Sequence, residues 1–176
     1  MIYNTLQISQ LTDSKLIGNP DILISNISFD SRNLYSISDT AFIAINTKNN
    51  SGEKYISSVV EKGVKVIISE NYYPEYEDIT WIITKNSIEF LQILAKKHLE
   101  NSHLENTIGI TGSNGKTIVK EWLYQCLWDE YSTVKSPKSF NSQIGLPISL
   151  LQINEEHQLG IFEVGISKPS EMAKLE

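Results

Sequence analysis

The apolar positions of this chain alternate between two rhythms, one near every third or fourth residue and one every second. Leu6, Ile8, Leu11 and Leu16 fit the first and predict a helix over 5–17. Ile22, Ile24, Ile27 and Phe29 predict strand over 22–29, and residues 40–45 predict a second strand. Tyr55, Ile56, Val59 and Val60 mark a helix that Gly63 ends, since glycine readily takes the left-handed conformation after a last turn. Residues 64–69 and 79–84 read as strands of the buried type. Asn86 or Ser87 caps a helix whose inner face is Phe90, Leu91, Leu94, Ala95 and Leu99. The polar stretch that follows, 100–106, has no apolar pattern and sets a domain boundary, giving domains over 1–104 and 105–176.

The second domain opens with Ile108 and Ile110 alternating as in a strand. After a glycine-rich loop, Ile118, Val119, Trp122, Leu123, Cys126 and Leu127 trace one face of a helix ending near Tyr131. A short strand at Thr133 and Val134 leads into a stretch broken by prolines and glycine, followed by helix over 148–153 and strand over 159–164. Residues 170–176 begin what reads as a further helix. Alternating strands and helices imply an α/β fold with a mainly parallel sheet. The stretch from Thr107 onward is short for a nucleotide-binding domain, ordinarily about 100–150 residues, so the expectation is a piece of a longer protein.

Charge and composition narrow the function. A net charge of −6 argues against general nucleic-acid binding, which requires a basic surface, but leaves room for a local phosphate pocket that Lys116, Lys120, Lys135 and Lys138 can furnish. The single cysteine, Cys126, excludes an internal disulfide and falls on the apolar helix face, where packing is its expected role. His98, His103 and His157 lack metal-ligand spacing; the first two flank a helix end, where solvated or capping roles fit. No apolar run approaches the roughly 20 residues of a membrane span, and the N-terminus lacks a signal peptide's basic start. The simplest reading is a cytoplasmic protein.

The chemistry centres on residues 107–121, where strand, glycine-bracketed loop, Lys-Thr pair and helix succeed one another. Backbone N–H groups from Gly112 through Ser113 and Asn114 to Gly115 can face phosphate oxygens at the positive end of the helix. Lys116 would reach the β- and γ-phosphates, and Thr117 would offer its hydroxyl to Mg²⁺. The common pattern has a glycine five residues before the Gly-Lys pair; here that position is Ile110 and the first glycine is Gly112.

Glu163 stands at the end of an apolar strand, where a carboxylate is costly to bury without a partner. It reads either as a Mg²⁺ ligand beside the phosphates or as a salt-bridged edge residue. Asn141 reads either as an orienting amide for phosphate or metal-bound water, or as a turn residue. Ser31 and Arg32, after Asp30, offer donors to a diphosphate or simply end a strand.

These residues resemble the Mur ligases of peptidoglycan synthesis. The resemblance rests on residues 111–117 with their displaced glycine, on 139–147 (Ser-Phe-Asn-Ser-Gln-Ile-Gly-Leu-Pro), on Phe162-Glu163-Val164-Gly165 and on 170–176. The last three are similar to the branch that adds D-alanyl-D-alanine. Asp30-Ser31-Arg32 and residues 41–44 resemble the small UDP-binding α/β domain that precedes the ATPase domain in that family. The resemblance implies a ligase that activates the terminal carboxylate of UDP-N-acetylmuramoyl-tripeptide with Mg·ATP as an acyl phosphate and couples it to D-Ala-D-Ala. It implies that Lys116 and the loop amides clamp ATP, that Thr117 and Glu163 hold Mg²⁺, that Asn141 lies near the γ-phosphate, and that Ser31 and Arg32 contact the UDP end. It places a carbamylated lysine, the rest of the ATPase sheet and a C-terminal domain beyond residue 176, so that these 176 residues alone are expected to be inactive. Residues 117–124 also look like bifunctional forms fused to an alanine racemase, which would add pyridoxal phosphate. The alternative of a different class is a non-catalytic UDP-sugar or nucleotide-binding module. Two departures stand out. Ile118 replaces a threonine at a position expected to face the core, and Ser51-Gly52-Glu53 replaces Asp-Gly-His, leaving any contact from that histidine in doubt.

Overall fold

A computed structural model of the chain describes residues 1–34 and 36–165; the helix expected over 170–176 lies outside the described residues. Two compact units run Met1–Leu94 and Ala95–Glu176, so the division falls within a helix.

In the first unit, β1 (Tyr3–Asn4) leads into α1 (Thr5–Leu11). Asn4 and Gln7 form a reciprocal capping box, each side chain accepting from the other's backbone N–H at 2.8–2.9 Å. The helix stops well short of the expected residue 17. The Thr12 hydroxyl bonds back to the Ile8 carbonyl at 2.8 Å, and Asp13 turns the chain with φ +49°. Leu16 therefore belongs to β2 (Lys15–Ile17), not to the helix. The strand expected over 22–29 is likewise two, β3 (Leu23–Ile24) and β4 (Asn26–Ser28). Between them the Ser25 N–H donates to the Asp39 carbonyl at 2.9 Å, which separates the two pairings.

There follow β5 (Thr40–Ile43), a hairpin of β6 (Asn46–Thr47) and β7 (Asn50–Ser51), α2 (Ile56–Glu61), β8 (Val66–Ser69), β9 (Thr80–Ile83) and α3 (Ser87–Glu100). The sheet order is β2-β9-β8-β5-β4, parallel except at β2. Its core packs Phe42, Ile56, Val59, Val64, Ile67 and Trp81. Gly63, at φ +99°, ends α2 as expected. Asn86 caps α3, its side-chain oxygen accepting from the N–H groups of Ile88 and Glu89 at 3.0 Å.

The second unit carries β10 (Asn106–Ile110), α4 (Lys116–Leu127), β11 (Thr133–Lys135), α5 (Gly145–Leu150) and β12 (Leu159–Glu163). All three strands are parallel, in the order β10-β12-β11. The last strand thus inserts between the first two, so the carboxyl ends of β10 and β12 lie side by side, where α/β sheets place their ligands. The core is Val134, Leu146, Ile153 and Phe162, with Leu99, Leu104 and Leu150 against it. This is the α/β architecture with a mainly parallel sheet that the alternation of elements predicted.

The orientation of α4 differs from expectation. Ile118, Val119 and Trp122 are 49–65% exposed, and Cys126 is exposed as well. The buried stripe is instead Thr117, Lys120, Leu123, Tyr124 and Leu127, with Lys120 fully buried and the other four half-buried. The helix is rotated because its centre is held by a charge. Lys120 reaches polar partners at the sheet end, and the apolar side chains beside it are turned outward.

Candidate nucleotide and cation site

Ile110 and Glu163 are paired in register at the ends of β10 and β12, and the Val164 N–H donates to the Ile110 carbonyl at 2.9 Å. The glycine-rich loop therefore leaves the sheet directly beside the Glu163 carboxylate. It turns through Gly112 (φ +140°) and Gly115 (φ +78°), both in conformations that L side chains rarely adopt. Gly115 is the N-cap of α4 and offers no side chain to the helix end, which leaves the first-turn N–H groups available to an anion. Lys116 Nζ donates to the Gly112 carbonyl at 2.6 Å, folding the lysine over its own loop.

An open cavity of about 330 Å³ is lined by residues 113–118, Asn141 and Glu163. The fold thus brings together seven of the candidate residues from three separate stretches: Ser113, Asn114, Gly115, Lys116 and Thr117 from the loop and helix start, Asn141 from the connection before α5, and Glu163 from β12. Gly112 shapes the loop without lining the cavity. Thr117 Oγ1 donates to Glu163 Oε2 at 3.2 Å, and Asn141 Nδ2 approaches the same oxygen at 3.4 Å. Asn141 is itself fixed, its carbonyl accepting from the Gly165 N–H at 2.7 Å. A β-carbon at Gly165 would come within 2.8 Å of that carbonyl, so only glycine permits the approach.

Glu163 is fully buried. Its backbone N–H donates to Ser136 Oγ at 3.1 Å. Its Oε1 lies 3.1 Å from Lys120 Nζ, an ion pair between two side chains of zero exposure. Among the described residues Oε1 has no hydrogen-bond donor beyond this ion-paired ammonium. The Glu163 carboxylate at the cavity wall, with its Oε2 beside the Thr117 hydroxyl, gives an all-oxygen donor set suited to a hard divalent cation such as Mg²⁺. Thr117 and Glu163 are the residues that would hold it.

Lys120 was legible in the sequence only as one of several nearby lysines. Hydrophobic periodicity counts lysine as a surface residue, so the pattern gave no sign that this one is central.

Ser31 and Arg32 belong to the first unit, just after β4, and do not line this cavity. Ser31 is buried, and its carbonyl accepts from Lys62 Nζ at 2.5 Å. Arg32 is 87% exposed and forks onto Asp30 with two contacts of 2.9 Å. The hydrogen bonds from Arg32 lower the Asp30 pKa to about 2. Glu53, in the Ser51-Gly52-Glu53 stretch, sits in a polar network. Its carboxylate accepts from Tyr73 Oη at 2.8 Å, Asn71 at 2.9 Å and Ser69 at 3.1 Å. Burial raises its pKa, but these hydrogen bonds outweigh burial and hold it below the usual range. Burial, then Glu53, push the Tyr73 phenol up to about 12. His98 is not solvated: it is buried, with Nε2 2.8 Å from the Ile153 carbonyl, and burial lowers its pKa.

No helix among the described residues is long and apolar enough to cross a membrane. Residues 110–176 match the Mur ligase middle domain. The chain is 34% identical over 173 residues to the UDP-N-acetylmuramoyl-tripeptide–D-alanyl-D-alanine ligase of Borreliella burgdorferi, covering 91% of this chain and 37% of that protein. The fold superposes with a TM-score of 0.90 on the UDP-N-acetylmuramoylalanyl-D-glutamyl-2,6-diaminopimelate–D-alanyl-D-alanyl ligase of Acinetobacter baumannii, at 26% identity, over 99% of this chain and 39% of that one. It also matches the MurF ligase of Thermotoga maritima solved in complex with ADP, with a TM-score of 0.71 and 28% identity over 85% of this chain and 34% of that one. The chain thus spans a little over a third of the length of these relatives. Carrying a Mur-type loop in a domain that matches in sequence, within a fold that matches throughout, the chain belongs to the Mur ligase family.

Proposed function

We propose that this chain supplies the nucleotide-binding centre and the UDP-substrate domain of an ATP-dependent, MurF-type amide-bond ligase of peptidoglycan precursor synthesis. The reaction joins D-alanyl-D-alanine to UDP-N-acetylmuramoyl-tripeptide through an acyl phosphate, in the cytoplasm where ATP is at hand. One observation carries the proposal. Lys116, Thr117 and Glu163 converge on one cavity at the carboxyl ends of two adjacent parallel strands. A loop that merely linked strand to helix would have no need of a buried carboxylate beside it.

On this reading the N–H groups of residues 112–115 and the α4 N-terminus bind the phosphates of ATP. Lys116 leaves the Gly112 carbonyl and reaches the β/γ region. Mg²⁺, when bound, would supply positive charge that offsets the phosphates. Thr117 and Glu163 hold its place, and Asn141 orients the groups around Glu163 Oε2. None of these side chains is required as an acid or base. The substrate carboxylate is already a nucleophile, so positioning and electrostatics lower the barrier. Ser31 and Arg32 bind the UDP end, with Arg32 exchanging its Asp30 partner for a phosphate. The residues that present the amine lie in the remaining length of the relatives, so the chain by itself is expected to form no amide.

The test is phosphate release by the full-length protein with Mg·ATP, with UDP-N-acetylmuramoyl-tripeptide and D-Ala-D-Ala added separately and together. Release that needs both substrates and is lost in Lys116→Ala supports the proposal. Release with ATP alone, unchanged in Lys116→Ala, refutes it.

A further inference from the structure

We propose that Lys120 is a positioning residue for the cation site: its buried ammonium fixes how the Glu163 carboxylate is turned and anchors the loop that carries Asn141. The inference rests on the nucleotide-site reading above. Lys120 occupies the middle of the buried stripe of α4, where leucine or methionine would pack without any electrostatic cost. A buried ammonium is expensive unless paired and hydrogen-bonded, and three of its four partners belong to the site or its supports.

Nζ donates to the Ser136 carbonyl at 2.7 Å and to the Lys138 carbonyl, and lies 3.1 Å from Glu163 Oε1. Glu121 Oε1 lies 3.3 Å away on the partly exposed side. Ser136 is also fixed to β12, its N–H donating to the Ile161 carbonyl at 3.0 Å and its hydroxyl accepting from the Glu163 N–H. Lys138 has φ +50°, an uncommon conformation for a side-chain-bearing residue, and its carbonyl is one that Lys120 holds. Three residues further along, Asn141 reaches Glu163 Oε2.

Two residues one turn apart on α4 therefore hold the two oxygens of one carboxylate. Thr117 takes Oε2 and Lys120 faces Oε1. With the ammonium on one side, the carboxylate cannot swing away from the cavity, and Thr117 Oγ1 and Glu163 Oε2 are held as the oxygen pair that would receive a cation. An uncharged side chain at position 120 would leave Glu163 free to rotate and the 136–141 loop without its anchor.

The experiment is calorimetric titration of the full-length protein with ADP, once in EDTA and once across a MgCl₂ series, for wild type, Lys120→Met and Lys120→Arg. A circular-dichroism melt confirms that each variant is folded. In Lys120→Met the Mg²⁺ concentration giving half of the cation-dependent gain in ADP affinity is expected to rise at least tenfold, with ADP affinity in EDTA within twofold of wild type. A merely structural lysine would weaken both equally, and that result, or an unchanged Mg²⁺ dependence, overturns the inference. If Lys120→Met does not fold, Lys120→Arg decides. Its charge is retained but its wider planar head cannot make the same contacts, so a shift of at least threefold is expected and no shift overturns the inference. A wild-type protein that binds ADP under neither condition refutes the nucleotide-site reading itself.

Discussion

Replacing Glu163 by leucine removes one half of a buried ion pair and leaves the Lys120 ammonium at zero exposure. Breaking such a pair typically costs about 3–5 kcal/mol, because the surviving charge is uncompensated. Here Lys120 keeps the Ser136 and Lys138 carbonyls and Glu121 Oε1 at 3.3 Å, which places the expected cost near the lower end, about 3 kcal/mol. Combining Glu163→Leu with Lys120→Met removes both charges and substitutes apolar groups of similar size. The double variant is expected to cost well short of the sum of the single changes, its remaining cost being the Ser136 and Lys138 carbonyls that lose the ammonium. Because the chain has two units, a global melt would mix their transitions. Hydrogen exchange under increasing denaturant, read on peptides covering β10–β12, isolates the unit that matters. Single costs below about 1 kcal/mol, or effects that add within about 0.5 kcal/mol, would show that the two charges do not stabilise each other.

Gly115→Ala places a side chain at φ +78° with open space around it, so strain alone costs about 1–2 kcal/mol; a pulled-down ADP affinity in calorimetry is the expected companion, and an unchanged affinity would contradict the loop's role. His98 should make the second unit acid-sensitive. Its folded pKa lies below the ordinary value near 6.5, so the unfolded chain binds the extra proton more readily. The stability is complete above about pH 6.5 and is lost as pH falls toward the lower folded value. Exchange rates of β10–β12 peptides between pH 7.5 and 5.5 should show this loss, and His98→Gln should flatten the profile. Phe42→Ala in the first-unit core should cost about 3–5 kcal/mol by denaturant titration, as a fully buried aromatic leaves a cavity.

The elements most legible in the sequence were those whose burial pattern is simple. The strands at Val66–Ser69 and Thr80–Ile83 announce themselves because both faces are covered. The capped start of α3 was equally plain, since Asn86 accepts from the N–H groups of Ile88 and Glu89. The end of α1 was not, because Leu16 kept the helical spacing while Asp13 had already turned the chain. The same limitation misplaced the inner face of α4. Ile118, Val119, Trp122 and Cys126 form a consistent apolar stripe, yet Lys120 is the residue buried. Periodicity ranks residues by transfer from water, and it cannot see a charge that is compensated by two carbonyls and a carboxylate. Glu163 could be suspected from sequence for the opposite reason: a lone carboxylate in an apolar strand violates the pattern and so draws notice.

The arrangement of the site follows from strand order more than from any single residue. Inserting β12 between β10 and β11 sets Ile110 opposite Glu163, so the loop and the carboxylate begin at the same height of the sheet. From there the pitch of α4 does the rest. Thr117 and Lys120, three residues apart, rise along the same helix face by nearly one turn, enough to address the two oxygens of one carboxylate from a rigid support. Moving either residue by one position would swing it about 100° around the helix and away from Glu163. On the proposed reading the motif is longer than the Gly-Lys-Thr core: it runs from Gly112 to Lys120, and its last member would work through Glu163 rather than by touching the phosphates. A variant that transposes the helix positions, Val119→Lys with Lys120→Val, keeps composition and net charge. It should lose the Glu163 contact and the Mg²⁺-dependent part of ADP affinity together, and retention of that part would show that the register of α4 does not set the site.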